Sequence, residues 1–136
     1  MTQALKEGFE KCEKNFVELS RYGKVDHSGS CAIVTFFYGN KLYVANCGDS
    51  RAIMSTHQGK KIAELSIDHK ASDEFEQKRI FDAGGKIYQT KLQNSNPNIK
   101  IFYEGQEHNF ILGPHRVMPG RLSVTRTFGD IEAKLP

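Results

Sequence analysis

The stretch Leu42-Tyr43-Val44-Ala45-Asn46-Cys47-Gly48-Asp49-Ser50-Arg51-Ala52-Ile53 decides how this chain folds. Apolar and small residues run into a glycine and an aspartate, and an arginine then opens the next apolar run. The pattern predicts a strand, a tight turn and a second strand, with Asp49 at the apex of the turn. A carboxylate at the edge of a rigid sheet is a position where a cation or a phosphate network can be bound.

More strands are predicted on both sides of this stretch. Cys31–Tyr38 is apolar on both faces, which is typical of a strand covered on both sides. Gly39-Asn40 predicts a two-residue turn into the returning strand Lys41–Cys47. After the Gly48–Ser50 turn, residues 51–55 and 61–67 extend the pattern, so we expect an antiparallel meander.

Two helices are predicted outside the meander. The first places an apolar stripe on one face and ends at Tyr22-Gly23-Lys24; the stripe comprises Leu5, Phe9, Cys12, Phe16 and Leu19. The second begins after a cap at Ser72 or Asp73 and ends at Gly84-Gly85, with acids in its first turn and bases after them.

The remainder of the chain is predicted as short strands and loops. We expect strands at residues 86–92 and 99–103, a polar loop at 93–98 and a compact, sheet-like segment at 120–126. The segment 89–115 is expected to be the most mobile part, a solvated loop with a possible role in contacting a substrate or partner. Helices and strands are segregated along the chain, so the predicted fold class is α+β with antiparallel sheet.

Composition excludes several functional classes. The 136 residues are 38% hydrophobic and 26% charged, which is typical of a globular domain or a piece of one. The net charge is +3, but the basic residues are scattered and form no patch, so no nucleic-acid role is expected. No apolar run approaches the roughly 20 residues that span a bilayer, and no membrane association is expected.

The cysteines favour a reducing compartment. Cys12, Cys31 and Cys47 are odd in number and widely spaced, so they suggest neither a disulfide framework nor a zinc site. Each has apolar neighbours, which indicates reduced and buried thiols. The opening residues Met1–Glu7 are charged too early for a secretory signal. We therefore expect a cytoplasmic or nuclear protein.

Several motifs of the chain together resemble a known family. They stand in the following order: Ser28–Ala32, Leu42–Ala52, Asp68-His69-Lys70, Arg79-Ile80 with Ala83–Gly85, and Arg116-Val117 with Gly120–Asp130. In sequence and order they are similar to the middle of a metal-dependent serine/threonine phosphatase of the PP2C family.

The resemblance implies a fold and a chemistry. The fold is two antiparallel sheets packed face to face, a β-sandwich flanked by helices. The cofactor is a pair of Mg²⁺ or Mn²⁺ ions that activate a water for attack on phosphoserine or phosphothreonine. An arginine holds the phosphate and a histidine protonates the leaving oxygen. The implied partners are phosphoprotein substrates.

The chain also departs from the family pattern. It has no Asp-Gly dipeptide, whereas the first metal motif of the family is Asp-Gly-His-Gly-Gly, and it has no tryptophan, whereas a later motif is Asp-Gly-x-Trp-Asp. The terminal Asp-Asn and the phosphate-holding arginine also have no counterpart. We therefore expect residues 1–136 to be a single partial domain, the central portion of a PP2C-like phosphatase, incomplete at both ends and inactive by itself. The alternatives are a pseudophosphatase or regulatory interaction module, and a piece of an incomplete gene product.

Asp49 is the one candidate metal ligand, because the resemblance implies that this acid joins a weaker, additional metal site. The alternative is that Asp49 accepts backbone hydrogen bonds within its own turn. One carboxylate with water cannot hold Mg²⁺ firmly. No catalytic or substrate-binding residue is assigned.

The other polar residues of the motifs have structural interpretations. Arg51 is expected to pair with a nearby acid, with contact to a phosphate as the alternative. Asp68 is expected to order the loop before the second helix; the alternative is that Asp68-His69-Lys70 supplies a metal ligand and a general acid. Arg126 is expected to pair with Asp130 across a tight turn, and the alternative is that they support the site from behind its direct ligands. Sheet edges left unpaired in a partial domain also predict self-association.

Overall fold

The computed structural model describes residues 1–96 and 98–134. In chain order the elements are α1 (Thr2–Arg21), β1 (Gly29–Ser30), β2 (Ala32–Tyr38), β3 (Lys41–Cys47), β4 (Ile53–Thr56), β5 (Lys61–Glu64), α2 (Glu74–Asp82), β6 (Lys86–Gln93), β7 (Ile101–Tyr103), β8 (Gln106–His108), β9 (Phe110–Met118), β10 (Phe128–Gly129) and a short 3₁₀ helix at Ile131–Ala133. Neither described α-helix has a stretch long and apolar enough to cross a bilayer.

All strand pairing in the described residues is antiparallel. The strands form two-stranded sheets that join β1 with β10, β2 with β3, β4 with β5, β6 with β9, and β7 with β8. The predicted α+β class with antiparallel strands is therefore confirmed. The single partial domain over residues 1–136 stays a prediction.

The β2–β3 hairpin follows the predicted register. Tyr38 pairs with Lys41 and Ala32 with Cys47, so the Gly39-Asn40 turn sits where the sequence places it. Gly39 has a φ of 58°, a conformation that glycine adopts without a Cβ penalty. The hairpin therefore delivers Gly48 and Asp49 to the end of β3.

The prediction that this strand is covered on both sides is wrong. Along β2 the side chains of Phe37 and Tyr38 are 74% and 63% exposed, and Val34 and Phe36 are each 40% exposed. The apolar sequence suits a strand that packs on both faces, but the described residues leave the end of β2 near the Gly39-Asn40 turn uncovered. Exposed aromatic side chains therefore lie on both faces of the end of β2: Phe37 on one face, Phe36 and Tyr38 on the other.

Helix α1 covers β10 and part of β3. The ring centroids of Phe9 and Phe128 lie 5.2 Å apart, and Glu13 accepts hydrogen bonds from the Gly129 backbone N–H at 2.8 Å and from Lys134 Nζ at 2.5 Å. The buried face of α1 is therefore rotated relative to the predicted apolar stripe, because the Glu13 side chain points inward and accepts these hydrogen bonds. Leu19 is 41% exposed as a result.

The expectation of buried thiols is also wrong for one cysteine. Cys12 is exposed, whereas Cys31 and Cys47 are half-buried. All three are free thiols, as predicted. Burial raises the pKa of Cys47, against an opposing influence of Lys134.

Helix α2 begins and ends as predicted. Asp73 is its N-cap, and its carboxylate accepts hydrogen bonds from the backbone N–H groups of Phe75 at 2.9 Å and Glu76 at 3.1 Å. The Gly85 N–H donates to Ile80 O at 2.9 Å and closes the end of the helix. Ala71 and Ile80, 1% and 5% exposed, form part of a small core together with Ile131 at 4%.

The strands predicted at 86–92 and 99–103 are present as β6 and β7, whereas the solvated loop expected for the rest of 89–115 is wrong, because β8 and β9 lie there. Strands β6 and β9 pair over most of their length, with an irregularity between Gln89 and Lys91, and β7 and β8 form a hairpin between them. The pairing of β6 with β9 was not predicted because the β7–β8 hairpin separates the two strands in the sequence. The polar loop predicted at 93–98 is confirmed at Asn94–Asn96, while Pro97 lies outside the described residues.

The segment 120–126 is not regular sheet. It contributes one isolated bridge, in which Val117 pairs with Leu122. Gly120 and Arg121 both have positive φ, of 90° and 58°, so the chain turns at once after β9 and cannot continue as a strand. This turn carries residues 125–127 toward α2.

Candidate functional site

The Gly48-Asp49 turn lies at the end of β3, against the residue that precedes β2. Gly48 has a φ of 107°, and a Cβ added there would lie 2.1 Å from Cys31 Sγ. Only glycine fits this position, because both the backbone conformation and the thiol exclude a side chain. The close approach sets Asp49 beside Cys31.

The Asp49 carboxylate has two side-chain partners. Its Oδ1 accepts a hydrogen bond from Cys31 Sγ at 3.6 Å, and its Oδ2 lies 3.7 Å from Lys70 Nζ. The side chain is 37% exposed. The structure gives Asp49 a thiol and an ammonium as partners, and its role as a metal ligand stays a prediction.

The loop that contains Asp68, His69 and Lys70 is fastened to this turn. The His69 backbone N–H donates to Gly48 O at 3.0 Å, and the Gly48 N–H donates to His69 Nδ1 at 3.1 Å. Asn46 Nδ2 adds a bond to Ile67 O at 2.9 Å. This reciprocal pattern fixes the loop relative to Asp49.

The imidazole of His69 acts here as an acceptor. Burial lowers the pKa of His69, and the positive charge of Arg126 lowers it further. A neutral ring with a proton-free Nδ1 is what the bond from Gly48 requires. His69 therefore fixes the loop through Nδ1, and the proton of the neutral ring lies on Nε2.

Arg51 makes the predicted ion pair. Its Nε and Nη2 donate to Asp68 Oδ1 and Oδ2 at 3.0 and 2.9 Å, a bidentate geometry. The hydrogen bond from Arg51 holds the pKa of Asp68 below its usual range. The loop-ordering role predicted for Asp68 is thus confirmed, and its carboxylate is also 3.3 Å from Lys70 Nζ.

A second polar cluster, which the sequence reading missed, surrounds Glu76. The Glu76 side chain is 7% exposed and accepts hydrogen bonds from Arg79 Nη2 at 2.8 Å, Thr125 Oγ1 at 2.6 Å and Arg126 Nε at 3.0 Å. Burial would raise the pKa of Glu76, but the bonds from Arg126, Arg79 and Thr125 outweigh it and hold the pKa well below its usual range.

The predicted pairing of Arg126 with Asp130 is wrong. Arg126 Nη2 and Nε both donate to Glu76, which is 50 residues away in the sequence. Asp130 instead adopts a left-handed backbone conformation with a φ of 47°, and its N–H donates to Ser28 O at 3.1 Å. The guanidinium is drawn to the buried carboxylate because that acid has few other ways to be solvated.

The local signal for this cluster was Arg79, three residues after Glu76 on the same helix face. From the sequence, Glu76 is one of the acids in the first turn of α2 that suit the helix dipole. Only the tertiary approach of residues 125–127 buries it, and nothing local in the sequence reports that approach.

The described residues do not fit a two-ion metal centre. Among them there is no group of three or more histidine, cysteine, aspartate or glutamate side chains placed to hold a metal ion. The two acids nearest the turn, Asp49 and Asp68, are both within ion-pair distance of Lys70. A divalent ion of the magnesium type needs several converging oxygens, and this donor set does not supply them.

Comparison with known proteins places the chain in a class. Residues 1–136 match the family model described as protein phosphatase 2C. The chain therefore belongs to the protein phosphatase 2C family, and its α+β organisation agrees with the fold of that family.

Individual relatives come from distant organisms. The chain is 42% identical over 84 residues to "Probable protein phosphatase 2C 55" of Oryza sativa subsp. japonica, and the aligned region covers 62% of this chain and 22% of the relative. It is 43% identical over 85 residues to "Protein phosphatase 2C homolog 2" of Hypocrea jecorina (strain QM6a), covering 62% and 19%. It is 42% identical over 72 residues to "Protein phosphatase 1G" of Rattus norvegicus, covering 53% and 13%. The chain thus spans about a fifth or less of the curated relatives it matches.

Proposed function

We propose that this chain is the central segment of a protein serine/threonine phosphatase, which hydrolyses phosphoserine and phosphothreonine in protein substrates. Family membership over the whole chain supports the proposal. In this family reaction, Mg²⁺ or Mn²⁺ would supply an activated water. The observation that carries the assignment to this chain is the Gly48–Arg51 turn, held rigidly against the Asp68–Lys70 loop.

The 136 residues by themselves are proposed to be inactive. Asp49 is the proposed peripheral metal contact, and the remaining ligands must come from outside the described residues. The support is the donor set at the turn, where one half-exposed carboxylate is shared with a thiol and an ammonium. An active centre of this class needs more oxygens around each ion.

A phosphate-release assay tests both levels of this proposal. A phosphothreonine peptide is incubated with Mn²⁺ and either the purified chain or a longer protein that contains it together with an Asp-Gly-His-Gly-Gly motif. The proposal expects release by the longer protein and none above background by the chain. Release by the chain at the rate of the longer protein would refute its proposed inactivity, and no release by either would refute the phosphatase assignment.

A regulatory interaction module is the second candidate. The contact of Lys70 with Asp49 favours the interaction module. An internal ammonium that neutralises this carboxylate lets the chain keep its fold without binding a metal ion. Its partner would bind without Mn²⁺. A pull-down from lysate with and without EDTA, compared with the phosphate-release assay, separates a metal-independent binder from an enzyme.

Self-association and location complete the proposal. The exposed aromatic side chains of β2 support association of the chain with itself. Backbone groups at the unpaired edge of the strand could contribute to the same contact. The free thiols support a reducing compartment, cytoplasmic or nuclear. Fluorescence microscopy of the tagged protein tests the location.

A further inference from the structure

The Lys70 ammonium lies between two carboxylates of different elements. Its Nζ is 3.7 Å from Asp49 Oδ2 and 3.3 Å from Asp68 Oδ2. Asp49 comes from the turn after β3, and Lys70 and Asp68 belong to the loop before α2. The lysine therefore occupies the position that a cation bridging these acids would take.

The surrounding charges show which acid depends on Lys70. Both oxygens of Asp68 already accept hydrogen bonds from Arg51. Within residues 1–96 and 98–134, Asp49 has a thiol, a weak donor, as its one side-chain partner besides the ammonium. Arg51 thus compensates Asp68, and Lys70 is the charge that compensates Asp49.

We infer that Lys70 is a tethered cation that excludes divalent ions from Asp49, so that a metal reaches this acid only when the lysine side chain swings away. The inference rests on the proposed function only in naming Asp49 as the metal contact. The lysine is suited to this role because its side chain is 46% exposed and its flexible four-carbon stem leaves the ammonium free to move. A point charge held 3.7 Å from the carboxylate also repels any divalent ion that approaches it.

Mn²⁺ binding measured by electron paramagnetic resonance tests the inference without an activity readout. The wild-type chain and Asp49→Asn are titrated first, because both keep Lys70. Equal, weak binding by the two is expected, since the acid is already neutralised. Wild-type binding several-fold tighter than that of Asp49→Asn would overturn the inference, because Asp49 would then hold the metal beside an intact lysine.

Removing the lysine is the second arm. Lys70→Met is expected to bind Mn²⁺ more tightly than wild type by on the order of tenfold, since a unit positive charge next to the ion is lost. Lys70→Gln removes the same charge but keeps a polar side chain of similar length. A gain in both variants therefore cannot come from the way the methionine packs. Lys78→Met is the matched control, because it also removes a lysine that pairs with an aspartate, Asp82 at 2.8 Å, but on an exposed face of α2.

The double variant Lys70→Met with Asp49→Asn separates the two claims. If the gain of Lys70→Met disappears in the double variant, both the tethered cation and the metal role of Asp49 are supported. If the gain persists, the added ion binds elsewhere, which refutes Asp49 as the contact and with it the inference. If no gain appears in either lysine variant, the tethered cation is refuted while the proposed phosphatase function stands on its own assay.

Discussion

Glu76 joins α2 to the segment that contains Thr125 and Arg126. Its carboxylate is nearly buried and is shared by two arginines and a threonine hydroxyl. Such a pair contributes little beyond an apolar replacement, yet removal of one partner is costly because the other charges lose their compensation.

Glu76→Gln is therefore expected to lower the free energy of unfolding by about 2–4 kcal/mol. The neutral amide leaves Arg79 and Arg126 facing each other without a counter-charge. Urea denaturation followed by circular dichroism measures the change. Glu74→Gln, an exposed acid in the same helical turn, is the control, and equal effects of the two variants would contradict the role of Glu76.

The same carboxylate predicts how stability depends on pH. The folded pKa of Glu76 is lowered from an ordinary value of 4.5, so the stabilisation is fully present above that pH and is lost as the pH falls toward the folded pKa. The free energy of unfolding of the wild type should thus decline more steeply below pH 4.5 than that of Glu76→Gln. Parallel profiles of the two proteins would show that Glu76 titrates normally.

At the scale of elements, α2 is fixed at its start by one side chain. Asp73 accepts from two backbone N–H groups that have no partner within the helix. Asp73→Ala is expected to cost about 1 kcal/mol in the free energy of unfolding. Asp73→Asn keeps an acceptor oxygen and should retain most of that stability. Thermal unfolding of both variants measures the difference. Equal losses of stability would mean that the charge of Asp73, rather than its hydrogen bonds to the backbone, stabilises the start of α2.

The elements also show what the sequence can and cannot predict. Helix α2 and the β2–β3 hairpin were located correctly because their signals are local: an aspartate cap, a glycine stop and a Gly-Asn turn. The β6–β9 pairing was missed because its two strands are separated in the sequence by the β7–β8 hairpin.

The site shows the same division between local and distant contacts. The sequence predicted that Arg51 pairs with an acid, because acids lie near it in the motifs, but it did not identify Asp68 as the partner. The partners of Asp49 and Glu76 were missed because Lys70 and Arg126 reach them from other elements, and sequence spacing does not report such approaches.

At the scale of the whole molecule, the exposed aromatic end of β2 is the feature with the clearest consequence. An uncharged, aromatic edge strand offers unpaired backbone groups to another chain. Sedimentation velocity over a range of concentrations should therefore show association, and Phe37→Glu should weaken it, because this 74% exposed side chain lies on the strand. Phe75→Glu is the control, since Phe75 is 86% exposed on α2 instead.

A concentration-independent compact monomer would contradict the self-association proposal. Equal loss of association in both phenylalanine variants would point to general surface hydrophobicity rather than to the β2 edge. The folded stability of Phe37→Glu should change little, as is usual for a mostly exposed side chain.

We propose that residues 1–136 carry the scaffold of a protein phosphatase 2C without a complete set of metal ligands. Isothermal titration calorimetry of the purified chain with Mn²⁺ tests it most directly. The account predicts no tight site and, at millimolar metal, at most weak uptake. Saturation by a pair of tightly bound Mn²⁺ ions per chain would contradict it, since the 136 residues would then provide the dinuclear centre themselves.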